Sequence, residues 1–169
     1  RTRSLDHARE LARAAAQEGA RRFVFVSSIG VLGDRTGAIP FRATDPAAPD
    51  SPYSRSKWEA EAGLRAVARE TGIELVIIRP PLVHGPGAPG NLARLMALVD
   101  RTPVLPFGSV HNRRSYVGVE NLCDLLTLVA RHPAAAHQTF LVADDGICST
   151  ADLIEVIAAG TALGALQAV

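Results

Sequence analysis

The chain has 169 residues, 47% hydrophobic and 21% charged, the composition of a globular chain rather than a disordered one, and it is long enough for a buried core. A formal net charge of +1, with arginines scattered rather than striped, gives no reason to expect nucleic acid or an anionic membrane as partner. Two cysteines, Cys123 and Cys148, make neither a disulfide framework nor a metal site, and no apolar run approaches the ~20 residues of a membrane span, so a reducing, cytoplasmic setting is expected.

The elements alternate along the chain. Residues 5–18 (LDHARELARAAAQE) place apolar side chains at helical spacing and stop at Gly19, a residue suited to a left-handed helix end. Residues 22–27 (RFVFVS) follow as a short buried strand, and residues 29–51, rich in Gly, Pro, Asp and Thr, read as a long loop. Ser51 then stands as a helix N-cap with Pro52 at the first helical position, and that helix runs to about Glu70 before Gly72. Residues 73–79 (IELVIIR) form a continuous apolar run, typical of a strand covered on both faces. A Pro/Gly loop over 80–90, a helix from about Asn91 and a second loop over 102–113 come next. A short strand at 115–117, a helix over 119–131, a strand over 139–142 and a last helix from Thr150 complete the order. Such alternation predicts an α/β fold with a doubly wound parallel sheet.

Two features invite a functional reading. Residues 85–90 (GPGAPG) match G-x-G-x-x-G literally, between a strand and a helix. A dinucleotide loop works through backbone N–H groups aimed at the pyrophosphate, and Pro86 and Pro89 each remove one. A stiff surface loop, or one that closes over a ligand, remains. The second feature is SPYSRSK at 51–57, which holds Lys57, the only lysine among 18 basic residues. Tyr53 and Lys57 lie at i and i+4, so both leave the same helix face. They are either an exposed ring beside an exposed ammonium or an acid/base pair, since a neighbouring ammonium favours the phenolate of a group with pKa of about 10. Arg could supply charge, but a compact ammonium also hydrogen-bonds a ribose diol. Ser27 and Ser28, at the C-terminal end of the first strand, are either a turn signal or the group that holds a reacting oxygen.

A strand ending in Ser27-Ser28, followed by Tyr53-x-x-x-Lys57, resembles the Ser–Tyr–Lys triad of the extended short-chain dehydrogenase/reductases. Within them the chain resembles the NAD-dependent epimerase/dehydratase group that acts on nucleotide sugars. RRFVFVSSIGVLG, SPYSRSKWEAE and IIRPPLVHGPG are similar to that family's serine strand, catalytic helix and nicotinamide-side strand, and GNLARLM and NRRSYVGVENLCDLL to its substrate-side segments. The resemblance implies the C-terminal part of a Rossmann-type domain over residues 1–80 and a mostly substrate-binding region over 81–169, with 119–142 returning to the sheet. It implies Tyr53 as general acid/base, Lys57 on the nicotinamide ribose and Ser28 on the reacting oxygen. Ser27, Pro80 and Pro81 would line the cofactor, and Leu82, Asn91 and Arg114 the substrate, with Arg114 suited to a diphosphate.

The same resemblance implies NAD, with NADP not separated from it, and a nucleotide-sugar substrate such as a UDP-N-acetyl sugar used in surface polysaccharides. It also implies a homodimer through the helices at 5–18 and 52–70. Two positions depart from the family pattern: Leu82 stands where many members have Asn, and Val31-Leu32-Gly33 where they often read V-Y-G. The particular sugar, and epimerisation against plain 4-keto reduction, are left open. A non-catalytic binding or structural protein on the same fold is the alternative, against which the intact triad speaks. The family's first strands and glycine loop would lie upstream, so this chain alone is expected to be inactive and to bind dinucleotide weakly. No His lies at metal-ligand spacing with another His or Cys.

Overall fold

A computed structural model describes residues 3–85, 91–101, 112–146 and 148–158. It divides into two units: one takes the chain through Pro80 and again over Asp124–Val142, the other takes Pro81–Cys123 and the chain from Ala143.

The first unit is built on a three-stranded parallel sheet in the order β1 (Arg22–Val26), β2 (Glu74–Arg79), β5 (Thr139–Leu141). Its register pairs Phe23 with Leu75 and Phe25 with Ile77, and on the other side Ile78 with Phe140. Every β2 residue after Glu74 is buried, as its uninterrupted apolar run requires of a central parallel strand. One face is covered by α1 (Arg3–Gln17) and α2 (Pro52–Thr71). Ala8, Ala12, Ala15 and Ala16 of α1 meet Leu64, Val67 and Ala68 of α2 and the side chains of Phe23, Phe25, Leu75 and Ile77. The small α1 residues let two helices and a sheet approach closely around one core.

α2 begins as its sequence dictates. The Ser51 hydroxyl accepts from Ser54 N at 3.1 Å, the Ser54 hydroxyl accepts from Ser51 N at 3.0 Å, and Pro52 occupies the first turn. Gly72 ends the helix at φ 76°, a left-handed value that costs glycine nothing. Ser51→Ala is expected to cost about 1 kcal/mol, read as a lower urea midpoint with an unchanged slope.

The second unit contains β3 (Leu82–His84), β4 (Tyr116–Gly118), α3 (Asn91–Arg101) and α5 (Thr150–Ala158). β3 and β4 pair in parallel, Leu82 with Tyr116 and His84 with Gly118. This corrects the expectation of loop throughout 80–90: three residues between Pro81 and Gly85 are too few to carry a periodic signal. Tyr116 and Leu153 form a buried cluster in this unit, with Leu82, Leu95 and Cys148 against it. Gly85 has φ 151°, and a Cβ there would meet Val119, whose own Cβ would lie at 3.1 Å. α4 (Val119–Arg131) closes the list of helices, and none of the described ones is long and apolar enough to cross a membrane.

Candidate active site

Lys57 is the fixed point of the site. Its Nζ donates to the Val26 carbonyl oxygen at 3.0 Å, at the C-terminal end of β1. The ammonium stands 5.1 Å from the Phe25 ring centroid and 5.8 Å from that of Tyr53, both within cation–π range. Burial holds its pKa below that of an ordinary lysine. Val26 takes one of three ammonium protons, and the other two make no further hydrogen bond among the described residues.

Tyr53 stands in the first turn of α2, on the face of Lys57, and is 61% exposed, so its ring is open to a ligand. Ser28 caps the short 3₁₀ turn at Ile29–Val31, its hydroxyl accepting from Gly30 N at 3.2 Å. That turn packs on the start of α2: a Cβ on Gly30 would lie 3.4 Å from Ser28 Oγ and 3.5 Å from Ser54 Cβ. Beyond β1 and β2 the two chain segments stay tied, Ser27 N donating to Ile78 O at 2.7 Å and Ile29 N to Pro80 O at 2.9 Å. Ser28, Lys57, Tyr53 and Pro80 therefore gather where β1 and β2 end, on the carboxyl side where ligands bind in parallel α/β sheets.

Other expected positions lie elsewhere. The Ser27 hydroxyl is turned inward, 3% of the residue being exposed, and donates to Glu61 Oε1 at 2.6 Å. Its side chain is a core contact. Leu82 packs against the Tyr116–Leu153 cluster, so its side chain belongs to the core of the second unit. Pro80 is buried and offers its carbonyl to Ile29, whereas Pro81 is half-exposed. Arg114 is exposed, and its backbone pairs with Cys148 in both directions, at 3.1 and 3.2 Å. Asn91 begins α3, but its side chain lies outside the described residues, as do residues 86–90 of the glycine-proline loop and His111.

Two clusters escaped the sequence reading. Glu61, fully buried, accepts from Ser27, from Arg79 Nε at 2.9 Å, from Arg79 Nη2 at 2.7 Å and from Arg65 Nη2 at 3.0 Å. Arg79, 3% exposed, also donates to Ala43 O at 3.3 Å in the long loop. Burial alone would push the Glu61 pKa up, but the hydrogen bonds from Arg79 and Ser27 and the charges of Arg79 and Arg65 hold it below the usual value. A charge ending the apolar run of β2, and a glutamate one turn beyond Lys57, were the available signals. In the second unit buried His84 lies 3.4 Å from Asp144, which also accepts from Gly118 N and Asn121 Nδ2.

The profile of the NAD dependent epimerase/dehydratase family matches residues 3–143. UDP-glucose 4-epimerase of Vibrio cholerae is 46% identical over 150 residues, covering 88% of this chain and 46% of that protein. Ceramide reductase of Caulobacter vibrioides is 34% identical over 128 residues, covering 76% of this chain and 34% of that protein. Among solved structures, MoeE5 in complex with UDP-glucose and NAD superposes with a TM-score of 0.77 at 25% identity, over 94% of this chain and 54% of that one. The chain thus spans less than half the length of the curated relatives it matches. A strand-end serine turn, a capped helix presenting Tyr53 and Lys57, and a family match over residues 3–143 converge: the chain belongs to the NAD dependent epimerase/dehydratase family.

Proposed function

We propose that the full-length protein is a NAD-dependent 4-epimerase or 4-keto-reductase of a UDP-hexose or UDP-N-acetylhexosamine, serving surface-polysaccharide synthesis in the cytoplasm. The single observation that carries this reading is Lys57 hooked to Val26 at the end of β1, with exposed Tyr53 on the same helix face. The 46% identity to a UDP-glucose 4-epimerase supports the substrate class.

Bound NAD supplies the hydride acceptor and donor. The chain's own residues do the rest. Tyr53 Oη takes the proton of the sugar C4 hydroxyl on oxidation and returns it on reduction. The Lys57 ammonium stabilises the phenolate that Tyr53 carries before it takes the proton and after it returns it, and its two uncommitted protons suit the ribose diol of the cofactor. Ser28, whose hydroxyl accepts from Gly30, keeps its own proton to donate to the reacting oxygen. In the second unit, exposed Arg114 is the proposed clamp on the diphosphate. Epimerisation adds a turn of the keto-sugar before the hydride returns, and reduction omits it. Leu11, 62% exposed on α1, is the apolar side chain that a homodimer through α1 and α2 would cover.

The test is product analysis. Full-length protein with NAD and UDP-glucose, or UDP-N-acetylglucosamine, is expected to yield the 4-epimer by proton NMR, or with reduced cofactor to reduce the matching 4-keto sugar. Turnover of none of these would overturn the proposal.

A further inference from the structure

The contacts of α2 with the strand ends form a pattern of their own. Lys57 and Glu61 are one turn apart on one helix face and grip consecutive residues of the chain, Val26 through its carbonyl and Ser27 through its hydroxyl. Glu61 also holds Arg79, the last residue of β2, in a two-point contact, and Arg79 reaches on to Ala43 O. One buried carboxylate thus ties the catalytic helix to the ends of two neighbouring strands and to the loop that leads to the helix. A stability role alone is a weak explanation, because apolar side chains of similar volume hold a core at least as well as a buried ion pair.

We propose that Glu61 is a positioning residue, which fixes the rotation of α2 about its axis and so places the Lys57 ammonium, and Tyr53 beside it, over the ends of β1 and β2. The geometric claim stands on its own contacts, and its catalytic consequence rests on the acid/base reading given above. Two charges buried together require their hydrogen bonds to be made in one geometry, whereas an apolar pair tolerates small rotations of the helix. Such a rotation would carry Lys57 out of its place beside Val26 and into solvent, and the lost burial, which holds its pKa down, is what its titration would report.

Because Lys57 is the only lysine, its titration is read without assignment from one 13Cε signal in a 13C-lysine sample of this chain. No cofactor or substrate is needed, so an inert Tyr53 and a failed positioning claim give different results. In the parent chain the midpoint should lie below that of a free lysine side chain. Glu61→Leu/Arg79→Met removes one charge of each sign and fills the space. It should unfold cooperatively, yet its Lys57 midpoint should rise toward the free value. Ser27→Ala changes no charge, cuts only the link from Glu61 to β1, and should move the midpoint part of the way in the same direction. An unchanged or lower midpoint in the folded double variant would overturn the proposal. Should that variant fail to fold, the Ser27→Ala titration decides alone: a rise supports the proposal and no rise overturns it.

Discussion

Glu61→Leu alone is expected to lower stability by about 3–5 kcal/mol, the usual cost of leaving one member of a buried ion pair without its partner. Arg79 is 3% exposed and makes two of its hydrogen bonds to Glu61, so its guanidinium would be stranded in the core. Ser27 would lose its acceptor as well. Against the ~5–15 kcal/mol that holds an ordinary domain together, such a loss decides whether the chain folds at all. Urea unfolding is the measurement, and the midpoint should fall while the slope stays. The effect has a pH signature with a definite sign. Burial works to raise the Glu61 pKa, but Arg79, Ser27 and Arg65 hold it below the usual glutamate value. Its contribution is therefore complete above ~4.3, the unfolded glutamate value, and is lost as pH falls through the lower folded value. The stability gap between parent and variant should begin to narrow as pH falls below ~4.3 and go on narrowing toward acid, and a gap that widened toward acid would contradict the assignment.

The sequence makes α2 legible because each of its signals is local. Ser51, Pro52 and Gly72 each act within a few residues, and the structure finds the helix at Pro52–Thr71 with both caps in place. β2 is legible for a related reason, since the apolar run of IELVIIR must be buried on both faces, and every residue of the strand after Glu74 is. The pairing of Tyr53 with Lys57 needs only helical geometry. β3 escapes because Leu82–His84 is short, sits between a proline and a glycine, and gains its partner, Tyr116–Gly118, only through the fold. The Glu61 network escapes for a different reason. A charge on a helix or at a strand end reads as a solvated group, and only tertiary structure brings Glu61, Arg79 and Ser27 into contact. The family resemblance puts Ser28 on the reacting oxygen and Ser27 along the cofactor, and a strand-end serine pair carries no local signal for a buried carboxylate partner. The alternation of β1 sends Ser27 inward to Glu61 and leaves Ser28 to cap the turn.

Tyr53→Phe removes one oxygen from a side chain that is 61% exposed and makes no hydrogen bond among the described residues. Its fold should be untouched, with the unfolding midpoint within error of the parent, since exposed substitutions of this kind rarely exceed about 0.5 kcal/mol. Its chemistry should not survive. Loss of a positioned general acid/base costs ~10²–10⁴-fold in rate, and a phenyl ring without its hydroxyl can neither give nor take the proton at the sugar oxygen. The decisive measurement is the rate of cofactor-dependent reduction of a UDP-4-keto sugar by the full-length protein, parent against Tyr53→Phe, at saturating cofactor. A fall of about two orders of magnitude or more, with folding unchanged, is the expected result. Equal rates would contradict the assignment of Tyr53 and Lys57 as the acid/base pair.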